Sequence, residues 1–133
     1  MRTFKSNSKG FTLVEIMIVV AIIALLAAIA IPNLLRAKMS ANDALAKATI
    51  RSISTASESY ATANSGNYPT QETSLTTATP PYLNKSYCAQ TISGYAFTCT
   101  FASSSYTVVA TPVTVGTSGT TTYTISTGGV LTP

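Results

Sequence analysis

The stretch GFTLVEIMIVVAIIALLAAIAIP, residues 10–32, decides how the rest of the chain is read. From Phe11 to Ile31 only Thr12 and Glu15 interrupt an apolar run of 21 residues. As a helix rising ~1.5 Å per residue, such a run matches the ~30 Å hydrocarbon layer of a bilayer. Arg2, Lys5 and Lys9 precede it and no cation lies within it. By the positive-inside rule the leader stays in the cytoplasm and the remainder faces outward.

An ordinary secretory signal is cut after its apolar region, at small residues. Here the run continues into IPNLLRAK, with no such pattern. The small Gly10 in front of the run is the better cut point, and cleavage there leaves the apolar helix on the mature protein. Glu15 then becomes the informative residue, because a carboxylate inside a membrane helix is costly and by default marks function. With no Lys, Arg or His in the run, the one cation within reach is the α-amine that cleavage after Gly10 creates on Phe11. Residues 11 and 15 are one helical turn apart. The pair can therefore close within one chain, or between parallel helices of two copies, where it would drive polymerisation and set an axial offset.

The basic leader, the sequence KGFTLVE with Gly10, Phe11, Thr12 and Glu15, and the apolar tract ending at Pro32 resemble the N-terminal signature of type IV pilins and the related type II secretion pseudopilins. The resemblance covers roughly residues 1 to 60. It implies that a prepilin peptidase cuts after Gly10 and methylates the new N-terminal Phe11, and that Glu15, with Thr12, serves assembly. It further implies a helical homopolymer of this chain, made with an inner-membrane platform and an assembly ATPase. The protein would sit in the inner membrane before assembly and in an extracellular filament after it, or in the periplasm if it is a pseudopilin.

Composition narrows the alternatives. Of 133 residues, about 100 follow the apolar run, and charged side chains make up 9% of the chain against about 25% in average soluble proteins. Histidine is absent, and the four carboxylates are dispersed among different elements. That inventory speaks against an enzyme, a metal site or a bound cofactor, and no glycine-rich phosphate loop is present. The net charge of +4 belongs mostly to the leader. With residues 1–10 set aside, five cationic side chains face four carboxylates. A strip of Arg36, Lys47 and Arg51 without interleaved aromatics supports nucleic-acid binding only weakly.

The expected layout is a leader over 1–10, a membrane and assembly helix over 11–32 and an outward domain over 33–133. Within that domain the helix continues over 33–64, a loop occupies 65–93 and a sheet 94–133. Pro32 lacks the amide donor and crowds the preceding turn, so it should kink or locally open the helix without ending it. Beyond it Leu35, Met39, Leu45, Ala46, Ile50, Ile53, Ala56 and Tyr60 fall within an arc of roughly 140°, the face that should be buried. Arg36, Lys47, Arg51, Ser54 and Glu58 lie opposite, with Asp43 and Lys47 spaced for an i, i+4 ion pair. Gly66 is the helix stop.

YAFTCTF (95–101) alternates with a period of two and predicts a strand with Tyr95, Phe97, Cys99 and Phe101 on one face. YTVVATP (106–112) and TTYTIS (121–126) follow after turns, and Val130 and Leu131 suggest an edge strand. An amphipathic helix and a one-faced sheet complete each other, which predicts an α+β domain with three to four antiparallel strands. In the pilin-like architecture that the resemblance implies, the apolar half of the helix projects from that domain. Cys88 and Cys99, the only cysteines, should pair in an oxidising compartment, tying the loop to the first strand.

Two functions remain. One is a structural subunit of a type IV pilus serving motility, adhesion or DNA uptake. The other is a pseudopilin of a type II secretion system. The major pseudopilins resemble one another in an acidic calcium-binding loop and a tryptophan-containing stretch, whereas this sequence has no tryptophan and no acidic residue after Glu72.

Overall fold

In the computed structural model, which describes residues 10–133, a single helix α1 runs from Leu13 to Ala63. The chain falls into two compact units, one ending at Leu35 and one spanning Arg36–Pro133. In the first unit nearly every residue of α1 is exposed, Leu13, Ile22 and Ile31 included. Pro32 lies inside α1, which continues on both sides of it. The leader expected over 1–10 lies, apart from Gly10, outside the described residues.

The second unit is an α+β layer pair. Its sheet is a five-stranded antiparallel meander in sequential order, β1 (Thr91–Ile92), β2 (Tyr95–Ala102), β3 (Ser105–Pro112), β4 (Tyr123–Ser126) and β5 (Val130–Thr132). The period of two is obeyed where it was strongest. Tyr95 and Phe97 of β2, Tyr106, Val108 and Ala110 of β3, and Tyr123 and Ile125 of β4 are buried in one cluster with Ala46, Ile50, Ile53 and Ala56 of α1. Alanines and Ser57 on the helix face let its backbone lie close to the large aromatic side chains of the sheet. The additional strand, β1, sits inside the stretch expected to be loop. Two residues are too short to show periodicity, and β1 exists because Thr91 and Ile92 are brought beside Ala96 and Tyr95.

The helix face differs from its expected arc at Leu35 and Leu45, which are exposed, and at Ser54. Leu45 is 44% exposed, whereas Ser54, expected on the open side, is buried with its hydroxyl 2.7 Å from that of Tyr106. A serine at a helix–sheet contact fits where a strand presents a phenol, because the pair satisfies both hydroxyls. The Asp43–Lys47 pair is likewise replaced. Asp43 accepts a hydrogen bond from the Tyr95 hydroxyl (2.5 Å) and from the Thr120 hydroxyl (3.1 Å). Lys47 instead sits 4.8 Å from the centroid of the Tyr123 ring, where a cation is attracted by the face of the π-system.

All three carboxylates of the second unit are turned to internal donors. Glu58 accepts from the hydroxyls of Tyr68 and Tyr106 (2.9 Å each) and from the Gly128 amide (2.8 Å). Glu72 accepts from the amides of Tyr87 (2.6 Å) and Cys88 (3.1 Å) and from the Ser86 hydroxyl. The Glu72 contacts order the stretch between helix and sheet, together with the short helix α2 (Thr73–Thr76), whose buried Leu75 carbonyl takes the amides of Tyr82 and Leu83. The helix stop is a Schellman-type end in which the Gly66 amide bonds the Ala61 carbonyl at 2.8 Å. Ser65 as well as Gly66 adopts positive φ there, 57° and 86°.

Cys88 and Cys99 form the expected disulfide, with Cα atoms 5.5 Å apart. It closes a ring over a sequence separation of 11, for which loop-closure entropy gives about 3 kcal/mol. The double substitution Cys88→Ser, Cys99→Ser should lower the free energy of unfolding, read from the midpoint and slope of chemical denaturation, by that amount. A midpoint equal to that of the unaltered chain under oxidising conditions would contradict the estimate.

Burial pushes the Tyr106 hydroxyl up to about 12 from 10.0, with Glu58 adding to the rise and Ser54 opposing it. Burial followed by the bond to Asp43 raises Tyr95 also. A raised tyrosine holds its proton more tightly when folded than when unfolded, so its contribution to stability is complete below the unfolded value and erodes above it. Thermal stability should therefore hold from neutral pH to about 10 and fall toward about 12. In Tyr106→Phe the alkaline slope, measured by circular dichroism at a series of pH values, should be shallower.

Candidate functional site

The start of α1 carries the residues singled out by the sequence. Thr12 occupies the position just before the first helical residue, Leu13, and Glu15 is the third residue of the helix. Glu15 Oε2 accepts from the Thr12 amide at 2.7 Å and from the Thr12 hydroxyl at 2.8 Å. The Glu15 amide in turn donates to Thr12 Oγ1 at 3.2 Å. This reciprocal pattern is a capping box, which satisfies amide groups that the first turn of any helix leaves without partners. A negative charge in the first turn also complements the positive end of the helix dipole.

The sequence reading places Thr12 beside Glu15 in assembly but looks for the partner of the carboxylate only among cations, and so does not include this bond. The signal was available in the Thr-x-x-Glu spacing itself. The cap uses Oε2 in both contacts with Thr12. A cation approaching Oε1 would leave it in place.

Phe11 precedes the cap and is 85% exposed. Among the described residues, no heavy atom lies within 4 Å of where a Cβ on Gly10 would be. Beside the cap, a shallow hollow of about 340 Å³ is lined by Phe11, Glu15, Ile16, Ile18 and Val19. The structure thus brings Thr12 and Glu15 together beside an open Gly10–Phe11 bond, and it places Pro32 separately, well along the helix. Among the described residues, α1 is the one helix long and apolar enough to cross a membrane. Among the same residues, no three His, Cys, Asp or Glu side chains are grouped so as to hold a metal ion.

Residues 5–31 match the family described as the prokaryotic N-terminal methylation motif. The chain is 62% identical over 42 residues to the type IV wide pilus major component PilA4 of Thermus thermophilus, covering 32% of each protein. It is 46% identical over 57 residues to the type IV major pilin protein PilA of Myxococcus xanthus, covering 43% of this chain and 26% of that one. With the type II secretion system core protein G of Aeromonas hydrophila it shares 37% identity over 71 residues, 53% of this chain and 49% of the other. The matched stretches thus span less than half the length of each of these curated relatives. No solved structure matches. The chain bears the prokaryotic N-terminal methylation motif, is similar over part of its length to two type IV pilus components and a type II secretion protein, and has an α+β domain of one long helix and an antiparallel sheet.

Proposed function

We propose that this chain is a non-enzymatic structural subunit of a type IV pilus, polymerised through α1 into a surface filament. The observation that carries the reading is the start of α1. A capped, accessible Gly10–Phe11–Thr12–Glu15 segment opens an exposed apolar helix that nothing covers among the described residues of its own unit. In the proposed pathway residues 1–10 are a leader removed by a prepilin peptidase, which also methylates Phe11. Residues 11–32 anchor the chain in the inner membrane, and residues 33–133 form the outward domain. The new Phe11 amine of one copy then meets Glu15 of a neighbour, and Pro32 is the point at which the helix gives during packing. Platform and ATPase partners supply the work, since the chain carries no phosphate-binding loop.

The similarity to two major pilus components supports this reading. A second reading, as a secretion pseudopilin in the periplasm, is favoured by one observation. Among the relatives described above, the secretion protein matches the largest share of this chain. Intact mass spectrometry of filaments sheared from the cell surface separates the two. A dominant species beginning at methylated Phe11, with Cys88 and Cys99 oxidised, supports the pilus subunit. The same processed species confined to the envelope supports the pseudopilin.

Processing is tested at Gly10. Because a Cβ there would meet nothing among the described residues, Gly10→Leu should fold normally and accumulate in the membrane with its leader attached. Recovery of mature protein from this variant would contradict cleavage after Gly10.

A further inference from the structure

At the end of the second unit that α1 enters first, a hollow of about 280 Å³ is lined by Lys38, Asn42, Ser93, Gly94, Thr117 and Ser118. Its far wall is the connection between β3 and β4, residues 113–122, which carries two strongly exposed apolar side chains, Val113 at 60% and Val115 at 72%. These stand out in a region whose other exposed residues are mostly hydroxyl side chains and glycines.

The connection is firmly held. The Val113 amide bonds the Gly94 carbonyl at 2.9 Å, Ser118 bonds the Thr114 carbonyl at 2.8 Å, and the Asn42 side chain bonds the Ser118 carbonyl at 2.7 Å. Gly94, at φ 78°, lies so near Ser118 that a Cβ would come within 2.8 Å of that side chain. The valines are thus fixed outward by a built scaffold. Nothing in their own unit covers them.

Charge points the same way. Arg36 and Lys38 are exposed, and the nearest acid in sequence, Asp43, is engaged by Tyr95 and Thr120. The hollow therefore presents an ammonium, an amide and hydroxyls beside two apolar tips. Lys38 and Asn42 follow Ile31, the last residue of the apolar run, by only seven and eleven residues. Cations with adjoining apolar side chains next to a membrane-spanning helix fit an anionic bilayer surface, the charges meeting phosphates and the apolar groups the acyl boundary.

We propose that this end of the domain is a membrane seat, in which Lys38 and the hollow hold an anionic phospholipid headgroup and Val113 and Val115 enter the interface beneath it. The inference rests on reading residues 11–32 as membrane-spanning. It adds that the outward domain is itself docked on the bilayer until it leaves for the filament.

The test uses the absence of tryptophan from the chain. The full chain is reconstituted in phosphatidylcholine vesicles with and without phosphatidylglycerol, with one tryptophan introduced at a time and doxyl-labelled lipid as quencher. Val115→Trp, and independently Val113→Trp, should be quenched by lipid in the anionic vesicles, while Val130→Trp on β5 should not. Adding Lys38→Gln should lower the equilibrium constant between seated and unseated forms by about fivefold, the loss expected for one cation near an anionic surface. Ile22→Trp reports the span itself. If it is quenched while Val113→Trp and Val115→Trp behave like Val130→Trp, the seat is overturned and the span stands. If Ile22→Trp is unquenched, the span fails and the seat with it. A blue-shifted but unquenched Val115→Trp whose emission depends on protein density would place a second copy on the valines and also overturn the proposal.

Discussion

Glu15→Gln is expected to leave the start of α1 as helical as before and to reduce incorporation into filaments to background. Glutamine serves at the third helical position of a capping box much as glutamate does. The contacts at 2.7 and 2.8 Å from Thr12 therefore have a replacement acceptor. What glutamine cannot supply is the negative charge that would meet a neighbour's Phe11 amine. Thr12→Ala makes the reverse change, removing the hydroxyl of the cap and keeping the carboxylate. It should fray the first turn and assemble better than Glu15→Gln. Electron microscopy of sheared material with quantitative immunoblotting of the membrane fraction reads both variants, and processing at Gly10 should be normal in each. Normal filaments from Glu15→Gln would show that the residue acts as a helix cap and that the charge pair has no part in assembly.

The second large effect is expected from Glu58→Ala. Its carboxylate gathers Tyr68 from the loop, Tyr106 from β3 and the Gly128 amide from the β4–β5 turn onto α1. Tyr106 retains Ser54, so the loss falls mainly on the charged bonds, at about 2–3 kcal/mol. For a unit of this size that corresponds to a fall in melting temperature of roughly 10–20 °C. Near-ultraviolet circular dichroism should follow the change, since two of the three donors are tyrosines. Glu58→Gln, which keeps one acceptor and introduces an amide group facing phenolic hydroxyls, should lie between. A melting temperature within a few degrees of the unaltered chain would mean that water satisfies these donors and that the cluster adds little.

Where the physics is periodic and apolar, the fold was legible. Tyr95, Phe97, Tyr106, Val108, Tyr123 and Ile125 are buried as their alternation requires, because a strand with one covered face has only one register that hides them. The reading failed where polar groups decide. Ser54 and Asp43 looked like solvent-facing helix residues, and only the position of Tyr106 and Tyr95 on strands far away in sequence turns them inward. Leu45 shows the converse, an apolar residue left exposed while its neighbour Ala46 is buried. At the N-terminus the placement of Glu15 and Gly10 is visible in the sequence, and the structure adds the bond from Thr12 to Glu15. The cap joining Thr12 to Glu15 is a local pattern carried by the Thr-x-x-Glu spacing, independent of any charged partner.

No charged side chain follows Lys85, so β1 to β5 and their turns carry none at all. Ionic strength has nothing to screen on such a surface. If copies of this sheet form the coat of a fibre, its grip on another material should vary little between fresh water and brine. Adhesion would then be governed by how well a surface competes with water for rows of threonine and serine hydroxyls.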